Sequence, residues 1–227
     1  MYQKIVNNFV FDVGVDSAIL IGWDDSVQTP SGIQKVPVSV DNRPVVAIRK
    51  KAFECTYIEY LELPATITTI GKEAFRGGSI KGVRFYADDR FHWQEKIKIE
   101  DAAFKDCILL EYFSTMQSID VGYLAFCGCP KLKESTFNNM YFYLIHPEAF
   151  ASTQSLKEIH ISQNGWIQAN ALKHSSITDV YLAEFAKIPE KTIEHIKTKG
   201  ITLHIYPDSP LMDLAYEGIC VKESLPF

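Results

Sequence analysis

One dipeptide recurs along this 227-residue chain at an interval that hardly varies. Ala-Phe stands at Ala52-Phe53, Ala74-Phe75, Ala103-Phe104, Ala125-Phe126 and Ala149-Phe150, with Ala171-Leu172 as a sixth variant. The intervals are 22, 29, 22, 24 and 22 residues. A period in this range marks a chain made of one small unit repeated, each unit unable to bury its apolar edge alone. Such units stack, and stacking gives one continuous core.

The residues after each dipeptide are periodic as well. Five or six positions on come Ile58, Ile80, Leu110, Leu132, Leu156 and Ile177. Three further stand Leu61, Val83, Phe113, Ser135, Ile159 and Val180, and two beyond those Leu63, Phe85, Thr115, Phe137, Ile161 and Leu182. The spacing is L-x-x-L-x-L, with polar lapses at Thr115 and Ser135. Alternation in its last part predicts a short strand with one buried face. A second extended piece precedes several dipeptides, at residues 66–71, 97–99 and 118–122. Each turn therefore reads as a main strand, a corner, a second extended segment and a tight turn at Ala-Phe.

The expected fold is an α/β-type repeat solenoid, right-handed, mostly strand and turn with little helix. Its main strands are expected to form a parallel sheet on the concave face. Residues 1–48 read as an N-terminal cap with lead-in strands, 49–206 as about six turns and 207–227 as a C-terminal cap, all in one domain. Within the caps, residues 18–23 and 201–207 are expected as strands, 210–216 as a short helix and 219–221 as a closing extended piece.

Composition restricts the function classes. The 28 acidic and 23 basic residues leave a net charge of −5 and no basic run, which argues against a nucleic-acid partner. Apolar stretches such as residues 18–22 and 36–40 are too short to span a bilayer, so no membrane insertion is expected. The first eight residues lack the apolar core of a signal peptide, which places the chain as written in the cytoplasm. Five cysteines, an odd number, do not suggest a fully paired disulfide framework.

The lead-in Val36-Pro37, then Val45-Val46-Ala47-Ile48 before Ala52-Phe53, resembles the start of bacterial surface-antigen leucine-rich repeats of the BspA type. Leu61-Glu62-Leu63-Pro64 followed by Ile67-Thr68-Thr69-Ile70-Gly71-Lys72-Glu73-Ala74-Phe75 is similar to that family's consensus unit nearly residue for residue. The resemblance runs from about Phe9 to Val221, and from the third turn the Pro after the strand is lost and the Ile-Gly becomes variable. It implies recognition, often of proteins at cell surfaces, with many members secreted. It implies no catalysis and supplies no binding residue by position.

Candidate chemistry is sparse. Cys55, Cys107 and Cys129 occupy nearly the same slot, two or three residues after the Phe, and are expected as a buried ladder of free thiols. Cys127-Gly128-Cys129 has no second Cys or His pair at zinc spacing, so neither metal nor other cofactor is expected. A Cys107–Cys129 disulfide between turns is geometrically conceivable at a strand spacing of about 4.8 Å, given an oxidising compartment. The six histidines are scattered, without a nucleophile motif, phosphate loop or dinucleotide fingerprint, so an enzyme is not expected. His160 and His204 fall at outward strand positions and read as solvated surface residues.

The outward positions of the main strands carry Tyr60, Glu62, Arg84, Tyr86, Tyr112, Met116, Glu158, His160, Tyr181 and Tyr206, and these are the candidate binding residues. Gly82, Ser114, Asp179 and His204 share that face, as do Glu134, Thr136 and Asn138 in the fourth turn. Tyr and Arg are enriched at binding hot spots, although Tyr also suits a strand for packing reasons alone. The expected partner is an unidentified protein. Alternatives are a glycan stacked on the tyrosines and a self-assembling structural role. The 29-residue interval inserts residues 87–94, with Phe91 and Trp93 expected to fold back on the core.

Overall fold

In the computed structural model, the described residues are 1–24, 26–27, 31–91, 96–133, 142–205, 209–217 and 219–223, with 215–217 and 223 described by backbone alone. The Phe91 ring position is partly buried, while Trp93, Tyr206 and the fourth-turn segment 134–138 lie outside the described residues.

The chain begins with two antiparallel pairings, β1 (Tyr2–Val6) with β2 (Phe9–Val13) and β2 with β3 (Ala18–Trp23). Asn7 and Asn8 turn the first hairpin at φ of 51° and 65°, a conformation that Asn tolerates better than most residues. The sequence reading had no β1, because its five residues lack an apolar alternation that would mark a buried face.

From β3 onward the pairing becomes parallel. Each turn returns one strand spacing higher, so both of its extended segments meet their own counterparts in the next turn and both form ladders. The second segments are β6 (Arg43–Ile48), β8 (Thr69–Ile70), β10 (Lys96–Ile99), β12 (Ser118–Val121) and β13 (Phe142–Ile145), paired in that order. The main strands of the first turns are β4 (Ile33–Lys35), β7 (Tyr60–Pro64), β9 (Gly82–Tyr86) and β11 (Tyr112–Ser114), which make a separate four-stranded sheet. β5 (Ser39–Val40) is an antiparallel flank on β6.

The ten-residue β14 (Glu158–Ile167) joins the two systems. Its end places Trp166 and Ile167 against Leu144 and Ile145 of β13. Its start pairs Glu158–Ile161 with β15 (Asp179–Leu182), and β16 (Thr202–Ile205) and β17 (Val221–Glu223) follow in parallel. An α-helix, α1 (Glu190–Lys199), precedes β16, and a 3-10 helix (Pro210–Glu217) precedes β17. α1 is missing from the sequence reading, although Gly200 ends it at φ 67° and Lys197 and Lys199 sit in its last turn as helix termini favour.

The Ala-Phe corner explains why the dipeptide repeats. The residue before each Ala, namely Lys51, Glu73, Ala102, Leu124, Glu148 and Asn170, is left-handed, as is the residue two beyond the Phe or Leu, whether Cys55, Gly77, Asp106, Gly128, Ser152 or His174. These two reversals aim backbone N–H groups along the stack. Phe53 donates to the Ala74 carbonyl at 2.7 Å, Phe75 to Ala103 at 2.7 Å, Phe104 to Ala125 at 2.8 Å and Phe126 to Ala149 at 2.9 Å. Ala74, Ala103, Ala125, Ala149 and Ala171 are fully buried at these corners. The rings pile into a spine, Phe53–Phe75–Phe104–Phe126–Phe150, with centroids 5.1, 4.9, 5.2 and 5.7 Å apart and planes within 9°. Close, near-parallel rings at this spacing bury most of their surface and keep close to the spacing that the strand ladders set.

Gly71 and Gly122 follow from the same crowding. A Cβ on Gly71 would stand 2.5 Å from the Lys50 nitrogen, and one on Gly122 would stand 2.7 Å from the Glu100 carbonyl carbon. The polar lapse at Thr115 is also structural: its hydroxyl donates to the Gln117 side chain at 2.9 Å, and the Gln117 amide reaches the Ile67 carbonyl at 3.0 Å. Both residues are buried.

The cysteine ladder needs correction. Cys107 and Cys129 are buried, but Cys55 is exposed. Cys55 sits one position nearer its Phe, in the left-handed slot that faces away from the core. The inward slot beside it takes a small donor: Thr153 and Ser175 hydroxyls reach the Phe150 and Leu172 carbonyls at 2.6 and 2.8 Å. Cys107 and Cys129 fill the same slot and donate to Phe75 and Phe104 carbonyls at 2.9 and 3.0 Å. Both are free thiols, so no Cys107–Cys129 disulfide exists here. Burial pushes the Cys107 thiol up to about 12 and Cys129 well above its ordinary value, which leaves them inert hydrophobes.

Candidate functional site

The outward face of the four-stranded sheet consists of rows set by its register. Ile33, Tyr60, Gly82 and Tyr112 align in one row, and Lys35, Glu62, Arg84 and Ser114 in the next. The first row is apolar and aromatic. Gly82 is buried rather than outward-exposed as its strand position suggests, because the Tyr112 ring lies over it in the space a Cβ would need. Leaning across Gly82, Tyr112 stacks on Tyr60 with centroids 6.3 Å apart at 23°. The Lys81 ammonium stands 5.9 Å from the Tyr60 ring centre.

The second row alternates in charge. Glu62 is ion-paired with Arg84 on one side and has Lys35 at 4.0 Å on the other. Lys35 also lies over the Tyr86 ring, 4.1 Å from its centre, a cation–π contact that spans two strands. The Tyr86 hydroxyl donates to the Val36 carbonyl at 2.6 Å. Burial raises its phenol to about 12. Tyr86 is therefore a half-buried tie between turns as well as a face residue. Met116 is exposed but follows the end of β11, off the register of the rows.

The C-terminal stretch, β14 to β17, presents a different surface. Glu158 aligns with Asp179 and Thr202, and His160 aligns with Tyr181, His204 and Lys222. Three rings stack across three strands: His160 on Tyr181 at 4.4 Å and 3°, and Tyr181 on His204 at 4.1 Å and 10°. The histidines are half-buried partners in this stack, not the solvated residues that strand position alone suggests. His204 bonds the Asp179 carboxylate at 2.8 Å, and His160 lies 3.7 Å from Glu158. Burial lowers the His160 imidazole below its ordinary value, with Glu158 opposing. Burial opposes ionisation of Asp179, yet hydrogen bonds from His204 and Thr178 hold its carboxyl below the usual range.

Of the ten sequence-predicted residues, the register brings Tyr60, Glu62, Arg84, Tyr86 and Tyr112 together on one sheet and Glu158, His160 and Tyr181 together on the other. Lys35 was missed because Gln34 stands in β4 where the pattern has an apolar residue, and Lys81 because it precedes the alternating part of its unit, though both are cations next to outward tyrosines across the ladder. Among the described residues no group of three or more His, Cys, Asp and Glu side chains is placed to hold a metal ion. Among the described residues no helix is long and apolar enough to cross a membrane.

Comparison with known proteins places this geometry in context. The family model described as BspA type leucine rich repeat region matches residues 33–93 and 89–199, in six copies. A leucine rich cell surface protein from Faecalibacterium prausnitzii superposes with a TM-score of 0.64 at 19% identity, over 92% of this chain and 55% of that one. The chain thus spans about half the length of that protein. A leucine rich repeat protein of T. pallidum superposes with a TM-score of 0.56 at 18% identity, over 82% of this chain and 86% of its own. At such identities the likeness is one of fold. No curated protein matches the chain in sequence.

Proposed function

This chain belongs to the BspA type leucine-rich-repeat family, and we propose that it is a non-catalytic recognition module that binds a protein along the outward face of its strand ladders. The observation that carries the choice of a protein over a glycan is the occupancy of the tyrosine rings. Sugar binding by stacking needs a ring face open to the ligand. Here Tyr60 and Tyr112 stack on each other, Tyr86 faces the Lys35 ammonium, and Tyr181 is sandwiched between His160 and His204. Tyr181 thus has both faces covered and the other three rings have one face covered, which leaves partly covered rings beside paired charges, a surface suited to the mixed aromatic and polar contacts of a protein interface.

The name of the Faecalibacterium protein, a cell surface protein, supports a place at the bacterial surface and a partner met there. Self-assembly is the weaker alternative.

Immobilised chain tests the reading against lysates of bacterial and host cells. A variant with Tyr60→Ala, Tyr112→Ala and Tyr181→Ala should keep the wild-type far-ultraviolet spectrum and lose a protein that the wild type captures. Capture of the same proteins by both would remove the face from consideration. Saturable binding of simple oligosaccharides by the wild type, with no protein captured, would favour the glycan.

A further inference from the structure

The two halves of the outward face neutralise their carboxylates differently. Glu62 is matched by Arg84 and Lys35, and Glu59 by Lys81, cations at every physiological pH. On β14 and β15 the ion-pair partners of Glu158 and Asp179, among the described residues, are His160 and His204. Their strands are hydrogen-bonded neighbours in register, so the two carboxylates stand about one strand spacing apart on the same face. A histidine gains its charge as the pH falls from neutrality, and the buried His160 gains it at lower pH than an exposed imidazole does. Among the described residues the pair therefore lacks a full counter-charge at neutral pH and gains one in acid.

We infer that this Glu158–Asp179 edge of the His160–Tyr181–His204 stack receives arginine side chains of a partner at neutral pH and releases them in acid, when the two histidines become the carboxylates' own cations. The inference rests on the outward face being the binding face. Arginine suits the edge because its planar guanidinium bonds carboxylates two at a time and lies flat against aromatic rings. Among the described residues, the groups facing the stack are Glu158, Asp179 and Tyr181 on β14 and β15, His204 on β16 and Lys222 on β17. Lys222 is permanently charged, so it offsets part of the carboxylate charge at both pH values and leaves the change to the histidines. Tyr181 fixes both imidazoles in place, so protonation alters charge without repacking.

The probe is an acetylated triarginine amide, with its uncharged citrulline counterpart as control. Binding is followed at low ionic strength through the imidazole proton resonances, at pH 7.5 and pH 5.0. The triarginine peptide should shift the His160 and His204 resonances at pH 7.5 and bind about fivefold more weakly at pH 5.0, as two exposed ion pairs warrant. The citrulline peptide should shift neither. The variant carrying His160→Gln and His204→Gln should bind equally at both pH values, and Glu158→Gln with Asp179→Asn should bind at neither. Equal wild-type affinity at the two pH values, or unchanged binding by the carboxamide variant, overturns the inference. Because the lysate capture also depends on Tyr60 and Tyr112, a failed peptide titration with capture intact removes this inference alone. Failed capture with a successful titration removes only the broader reading.

Discussion

At five successive corners the same ring meets the same ring, whereas on the outward face no two rows carry the same side chains. Phe75, Phe104 and Phe126 each lie between two neighbours of their own kind, at 4.9–5.2 Å within that run. A substitution there disturbs two interfaces at once, so each turn has the same requirement and the sequence repeats it. On the face, Tyr60 meets Lys81 and Tyr112, Tyr86 meets Lys35, and Tyr181 meets two histidines. The solenoid confines identity to its spine and leaves the face free to vary, which is how one scaffold serves different ligands.

The contrast predicts a gradient of mutational cost. Phe104→Ala should be the most damaging, removing a fully buried ring from the middle of the spine and costing about 3–5 kcal/mol in chemical denaturation. A loss below about 1 kcal/mol would mean that the rings do not hold the stack together. Gly122→Ala comes next, since its Cβ meets backbone that cannot swing aside; about 1–3 kcal/mol should be lost.

Tyr112→Ala should cost no more than about 1 kcal/mol, a cross-strand contact and not a core residue. If it destabilises as much as Phe104→Ala, the distinction between face and spine fails. The smallest effect is reserved for Arg84→Ala, whose guanidinium is mostly exposed and whose ion pair with Glu62 should contribute less than about 1 kcal/mol, weakening further in salt.

A pH titration sharpens the picture at the boundary between the regions, where Tyr86 belongs to both. Burial raises its folded value to about 12, above the value of about 10 for an unfolded phenol. Its neutral form therefore contributes stability that is fully present below pH 10 and lost as pH rises toward 12. In an ultraviolet titration Tyr86→Phe should remove a late-ionising phenol. A variant whose late phase persists unchanged would place that phase on other tyrosines.

How much of this was legible in the sequence follows from the same division. The dipeptide period exposed the stacking unit because the spine repeats the same residue at five successive corners, with Leu172 at the sixth. Its left-handed flanks were invisible, since Lys51, Glu73, Leu124 and Glu148 carry no glycine to announce them. The two ladders looked like one because the second segments are as short as the two residues Thr69–Ile70. On the face, alternation located the tyrosines but not the contacts made between strands. Nothing in the spacing of His160, Tyr181 and His204, 21 and 23 residues apart, distinguishes a three-ring stack from three solvated side chains. Gly82 shows the limit most clearly: an outward strand position became a buried floor because a ring from the next turn leaned over it.

Site-specific photo-cross-linking tests the face against the rest of the molecule most directly. A benzophenone amino acid replaces Tyr112 on the outward row in one sample and the exposed Tyr57, which follows the first corner, in another. Both are irradiated in the presence of the captured partner. The face reading predicts a cross-linked protein from position 112 and none from position 57. Cross-linking from position 57 alone would move the binding surface to the corners and contradict it.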